Sequence, residues 1–168
     1  YEGTKGCEEI VYHQGVLYLV IGNVEDQQKV DAAVRRGEQL PVVKRAIMAV
    51  EAQSGKQLWK LDEAGVPELF ALTLAVADGR VLYQTTEEVF ARDAKTGNEL
   101  WRTARPATLA RRSWASPTLV VYEGVVLIAD QAPPKQNDDA QRPGSLKWDV
   151  TLAGGGKDGQ MIALAAET

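Results

Sequence analysis

Short apolar runs interrupted by glycine turns recur along the chain. Glu9-Ile10-Val11-Tyr12-His13-Gln14-Gly15-Val16-Leu17-Tyr18 is the first. Leu74-Ala75-Val76-Ala77-Asp78-Gly79-Arg80-Val81-Leu82-Tyr83 repeats its layout, and so does Leu119-Val120-Val121-Tyr122-Glu123-Gly124-Val125-Val126-Leu127-Ile128. A two-residue loop that ends in Gly suits a tight hairpin, because Gly takes φ > 0 without a steric penalty. Each pattern therefore predicts two short antiparallel strands, A and B.

A second pattern, centred on another Gly, supplies the next two strands, C and D. Ala49-Val50-Glu51-Ala52-Gln53-Ser54-Gly55-Lys56-Gln57-Leu58-Trp59 matches Ala91-Arg92-Asp93-Ala94-Lys95-Thr96-Gly97-Asn98-Glu99-Leu100-Trp101, at an offset of 42 residues. Asp93 and Thr96 can accept bonds from nearby backbone N–H groups, and Gly97 can take the left-handed position that closes the turn. Glu51 stands where the second copy has Asp93, so the first turn is expected to be less well capped. Leu100 and Trp101 are expected on opposite faces of strand D, because side chains alternate. A Trp recurring once per unit, here Trp59 and Trp101, reads as an anchor between neighbouring sheets that buries about 150–250 Å². Gly55 and Gly97 are its companions in the turn. A third copy, Ala163-Leu164-Ala165-Ala166-Glu167-Thr168, reaches the hydroxyl position.

Four short strands repeated at about this period are the signature of propeller blades. The expected fold is all-β: a partial β-propeller of about three four-stranded antiparallel blades in a single segment, residues 1–168. Blade 1 is placed at about 8–62, blade 2 at about 69–104 and an incomplete blade 3 at about 114–168. Three blades leave apolar faces uncovered. The expectation is that the repeats continue past Thr168, or that two chains form a homodimer that completes a ring.

Blade 2 joins B to C compactly, whereas blades 1 and 3 carry long insertions at that junction, residues 23–45 and 131–159. Insertions at equivalent junctions must leave the same face, and long loops in compact domains are usually functional or disordered. The first is expected to hold a short helix: Asn23 as cap, Val30, Ala33 and Val34 as an apolar stripe, Gly37 and Pro41 as its end. Arg35 and Arg36 then lie either on an ordinary solvated helix or on a cationic rim for an anionic ligand or protein partner. The second insertion reads as loop. Trp148 is either a loop anchor or an aromatic platform, and Lys157 belongs to the same face.

The Ala-x-Asp-x-x-Thr-Gly-x-x-Leu-Trp motif that follows each Gly hairpin resembles the repeat of the pyrroloquinoline quinone (PQQ) type β-propellers. That superfamily contains quinoprotein alcohol dehydrogenases and a scaffold lipoprotein of the bacterial outer-membrane assembly machinery. The resemblance implies that Trp59 and Trp101 dock between blades and that the protein is periplasmic or otherwise exported. It also raises PQQ with calcium as a cofactor. Family dehydrogenases cover the quinone with a disulfide between adjacent cysteines and use an Asp base, and neither has a counterpart here. The reading is a non-catalytic scaffold that binds a protein partner or small ligand through its long B–C loops. The alternative is a segment of a PQQ-dependent quinoprotein dehydrogenase whose active-site groups lie in other blades.

Composition narrows the chemistry. One Cys and one His among 168 residues exclude multi-thiolate and multi-histidine metal sites. Cys7 and His13 flank the first strand with nothing to suggest that they meet. A net charge of −4 argues against nucleic acid as a partner. The longest clean apolar run, Val16 to Ile21, is far short of the roughly 20 residues of a membrane span. Asn137, Asp138 and Asp139 offer oxygens for calcium but lack the spacing of a calcium loop, so a solvated loop is the plainer reading. Gly154, Gly156 and Gly159 form Gly-x-Gly-x-x-Gly, yet a strand rather than a helix should follow, which makes this a turn. Arg102, Arg105, Arg111 and Arg112 read as a linker, or as a surface for an acidic partner, and Trp114 as packing for the next strand A. No catalytic residue emerges.

Overall fold

The computed structural model describes residues 1–38, 43–62, 69–85, 87–104, 118–131 and 159–167. It is a partial β-propeller made of three antiparallel sheets in sequence order. Sheet 1 is β1 (Cys7–His13), β2 (Val16–Gly22), β3 (Arg45–Glu51) and β4 (Gln57–Leu61), hydrogen-bonded in that order. Sheet 2 repeats the meander with β5 (Ala75–Ala77), β6 (Arg80–Gln84), β7 (Glu88–Asp93) and β8 (Glu99–Ala104). In sheet 3, β10 (Val125–Gln131) lies between β9 (Thr118–Tyr122) and β11 (Gly159–Ala165). Helix α1 (Val24–Arg36) interrupts sheet 1 between β2 and β3.

The glycine hairpins close as their sequence requires. His13 pairs with Val16, Ala77 with Arg80 and Tyr122 with Val125 across two-residue loops. At the first, Gln14 and Gly15 take φ +47° and +83°, the mirror-image turn whose twist matches the strands. Asp78–Gly79 and Glu123–Gly124 do the same.

Strand D departs from simple alternation. Ala49 faces Trp59 but Val50 faces Gln57, and Ala91 faces Trp101 but Arg92 faces Glu99. Leu58 and Leu100 are thus the extra residues of equivalent bulges. Both are exposed, at 44% and 49%, while Trp59 and Trp101 beside them turn inward against the core clusters.

Between sheets 1 and 2 lie Tyr18, Val20, Ile47, Ala49 and Trp59 against Leu74, Val81, Tyr83 and Phe90. Between sheets 2 and 3, Leu82, Val89 and Ala91 meet Val126, Ile128 and the half-buried Trp101. The opposite face of sheet 1 buries Leu19, Ile21, Met48 and Val50.

Candidate functional site

The two ends of the sheets are built differently. At the hairpin end, one bond recurs in all three sheets: Ala52 N–H donates to Gly15 O (2.8 Å), Ala94 to Gly79 O (2.9 Å) and Ala166 to Gly124 O (2.8 Å). This ties each C–D turn to the A–B turn of its own sheet. The anchors then cross to the next sheet. Trp59 Nε1 donates to Ala94 O at 3.0 Å, joined there by Tyr18 Oη at 3.2 Å, and Trp101 Nε1 donates to Ala166 O at 2.8 Å. Gly97 lies under the Trp59 ring, where a Cβ would come within 3.0 Å of it. These bonds keep successive sheets level, so their opposite ends are level too.

That opposite end carries the insertions. The β2–β3 ladder stops at Gly22–Arg45 and the β10–β11 ladder at Gln131–Gly159, and both long connections leave from there. In sheet 2 the same junction is short: Thr85 N–H donates to Glu88 O (2.8 Å), and Thr85 Oγ1 accepts from Glu88 N–H (3.0 Å).

Helix α1 emerges at this end with a cap at each terminus. Asn23 Oδ1 accepts from Glu25 N–H at 2.9 Å. Gly37 sits at φ +65° and Glu38 N–H returns to Ala33 O at 3.0 Å, a left-handed cap that stops the helix before Pro41. Asp26 and Lys29 pair at 2.8 Å, and that bond holds the Asp26 carboxyl below its ordinary range. Ala33 of the expected stripe is buried. Arg35 and Arg36 are exposed on the last turn, with Arg36 Nε 2.9 Å from Glu38 Oε1.

Several polar groups at this end were not singled out by the sequence reading. Glu8 and Arg45 form a half-buried pair at 2.7 Å, and Arg45 Nη1 also donates to Leu69 O at 3.0 Å. Glu9 accepts from Leu72 N–H (2.8 Å) and Leu74 N–H (3.2 Å), which fastens the segment leading into sheet 2. Burial raises the Glu9 pKa despite those donors. Gln84 is fully buried, with Nε2 donating to Thr118 O at 3.4 Å and Oε1 without a partner among the described residues. Its one signal was a polar residue closing the apolar run Val81-Leu82-Tyr83. At the hairpin end, beside the C–D turn, Arg92 is also buried. It donates to Tyr83 Oη at 2.8 Å and lies over the Tyr83 and Phe90 rings. Aligning the repeats would have flagged it, because Val50 holds that place in the first copy.

The remaining candidates do not assemble into a site. Cys7 and His13 lie at opposite ends of β1, with Cys7 Sγ donating to Glu9 O at 3.4 Å. Burial raises the Cys7 thiol pKa, the reverse of what a nucleophile needs. Arg102 pairs with Glu88 and Glu99 on the surface of sheet 2. Trp148, Lys157, Asn137, Asp138, Asp139, Trp114, Arg105, Arg111, Arg112, Gly154 and Gly156 lie outside the described residues. Among the described residues no three His, Cys, Asp or Glu could hold a metal ion. The single Cys7 cannot form a disulfide between neighbours. Among the described residues no helix is long and apolar enough to cross a membrane.

A family model described as outer membrane protein assembly factor BamB matches residues 24–168. Among solved structures, a quinohemoprotein alcohol dehydrogenase from Pseudomonas putida HK5 is 22% identical over 95% of this chain, which covers 19% of that protein, with a TM-score of 0.49. BamB from Moraxella catarrhalis is 18% identical over 67% of this chain, which covers 28% of that protein, with a TM-score of 0.44. The quinohemoprotein alcohol dehydrogenase of Comamonas testosteroni is 19% identical over 76%, with 18% of its own length covered and a TM-score of 0.47. The chain thus spans less than a third of each of these proteins. No curated protein matches it.

Proposed function

The chain belongs to the PQQ-type β-propeller repeat family, and on that footing we propose that it is a non-catalytic scaffold segment that binds a protein partner through its insertion end. The observation that carries this reading is the asymmetry of the two ends. One is a repeated set of bonds, and the other sends out both long connections together with helix α1. A rigid ring segment with variable loops at one end needs nothing more to recognise a partner. Arg35 and Arg36, exposed at the helix C-terminus, favour an acidic patch on that partner, with Trp148 and Lys157 of the second insertion contributing to the same face. Export to the periplasm accords with the family.

Titration with poly-L-glutamate as an acidic probe, in parallel with PQQ plus calcium, tests the reading. The expected result is salt-sensitive binding of the polyanion that Arg35→Glu/Arg36→Glu weakens, with no saturable quenching of Trp fluorescence by the quinone. Polyanion binding indifferent to the charge reversal would overturn the scaffold face. Saturable, calcium-dependent quinone binding would favour the dehydrogenase-segment reading instead.

A further inference from the structure

Sheet 2 carries a buried polar side chain on each of its faces, and the repeat supplies the comparison for both. Ala52, Ala94 and Ala166 make the same bond in the three sheets. Two residues before them stand Val50, Arg92 and Leu164. Arg92 shares the face of Tyr83 and Phe90, which meets sheet 1, and Leu164 meets sheet 2 from sheet 3. Five residues after the hairpin glycines Gly15 and Gly79 stand Val20 and Gln84. Val20 faces sheet 2, and Gln84 faces sheet 3, where it reaches Thr118 O at 3.4 Å. The two seams between sheets are thus equivalent in geometry and different in chemistry.

At the first seam, sheet 2 presents Tyr83 stacked on Phe90, with centroids 5.1 Å apart and planes 4° apart, and the Arg92 guanidinium over both. Arg92 Nε donates to Tyr83 Oη at 2.8 Å and Nη1 to Gly97 O at 3.3 Å, with Glu99 Oε2 3.6 Å from Nη2. Sheet 1 answers with Tyr18, whose hydroxyl donates to Ala94 O at 3.2 Å. At the second seam the corresponding places are aliphatic: Ile128, Ile162 and Leu164 stand for Tyr83, Phe90 and Arg92, and Leu82 stands for Tyr18. The polar group there is Gln84.

Apolar contact is non-directional and distinguishes such faces poorly. A buried polar group does distinguish them, because a wrong neighbour leaves it unmet. If sheet 3 met sheet 1 directly, Val20 would face Thr118 O and could donate nothing to it. If the Gln84 face of another copy lay on the Arg92 face, Leu82 would make no bond to Ala94 O. The Gln84 amide would then enter the apolar cluster that Val20 occupies.

We propose that Gln84, Tyr83 and Arg92 are matching groups that select which sheet docks on which face, so that sheet order is specified by buried polar groups as well as by apolar fit. The Arg92 face takes a face that carries Tyr18, and the Gln84 face takes one that offers Thr118 O. The inference concerns the seams and does not depend on what the insertion end binds.

The test is the full chain with Tyr83→Phe, Gln84→Leu and Arg92→Met together, which removes the polar groups with little change of volume. It is unfolded in urea and refolded beside wild type, then read by light scattering on a sizing column and by circular-dichroism melting. Replacing a whole buried polar set by apolar groups of similar shape is close to neutral for stability, so Tm should not fall. The ratio of multi-chain to single-chain protein should rise about tenfold, as sheets of different chains dock on one another. Gln84→Leu alone, which leaves the Arg92 bonds in place, should raise that ratio less. A ratio unchanged in both variants overturns the proposal. A triple variant that melts well below wild type, or that has lost the β-sheet spectrum, overturns it as well, because these groups would then serve stability rather than matching.

Discussion

The C–D turn of sheet 2 and that of sheet 1 perform the same task with different carboxylates. Asp93 Oδ1 accepts from Lys95 N–H (3.0 Å), Thr96 N–H (2.8 Å) and Thr96 Oγ1 (2.9 Å). Glu51 is one methylene longer and accepts the Ser54 hydroxyl, while Ser54 Oγ accepts from Lys56 N–H at 3.1 Å. Both turns still close, because Gly55 and Gly97 adopt φ +75° and +76° and each carries a ring above it, Tyr1 over Gly55 and Trp59 over Gly97. Glycine and aromatic ring are thus the common requirement, and the carboxylate refines it.

The largest effect that could break this comparison is loss of the ring. Trp59→Ala should cost about 3–5 kcal/mol, measured by chemical denaturation, because it opens a cavity between sheets and removes one of the two donors to Ala94 O. Trp101→Ala should cost less, since that indole is only half-buried. A cost below about 1 kcal/mol for Trp59 would mean that the sheets are not held together by it. Next comes Gly97→Ala: a left-handed backbone angle costs an L-residue about 1–2 kcal/mol, to which the approach to Trp59 adds. If the variant were as stable as wild type, the ring-over-glycine account would fail.

A smaller effect separates the two carboxylates. Asp93→Ala should cost about 1 kcal/mol, since its bonds are charge-assisted but exposed to solvent. The Thr96 hydroxyl and N–H, with Lys95 N–H, hold the folded Asp93 pKa below its ordinary value. A depressed pKa contributes stability that is present above the unfolded value, about 3.9, and is lost as pH falls through the folded one. Asp93→Asn should therefore flatten part of the acid limb of a stability–pH curve. Glu9 acts in the opposite sense. Its raised pKa favours the folded state most below the unfolded value, and that advantage disappears as pH rises through the folded one. Glu51→Asp, which would restore the shorter side chain, should stabilise by about 0.5 kcal/mol.

What could be read from the sequence follows the range of the forces involved. The hairpins and C–D turns were legible because their residues act on neighbours within a few positions: Gly15, Asp93, Thr96 and Gly97 each explain their own turn. The cap of α1 was legible for the same reason, with Asn23 two residues from the N–H it receives. The bulges at Leu58 and Leu100 were not, since a bulge is a property of two strands in register rather than of one run of residues. Tyr1 Oη donates to Ala52 O across 51 positions, and no local pattern connects them. Gln84 and the Glu8–Arg45 pair were hidden by the same distance. At the insertion end the repeat stops constraining the sequence, so the residues there reflect whatever they meet outside the sheets.

The last prediction sharpens that difference between ends. Arg35→Glu/Arg36→Glu should change folding stability by no more than about 0.5 kcal/mol, since both side chains are exposed and the Arg36–Glu38 pair is an open surface contact. The change moves local charge by four units, from +2 to −2, so any polyanion attracted to this end should lose affinity and much of its salt dependence. A thermal melt and a binding titration on the same sample separate the two outcomes. A clear loss of stability would mean that the helix end is part of the structural framework, as the hairpin end is. Unchanged melting with weakened binding would place these arginines outside the framework and on the recognition surface.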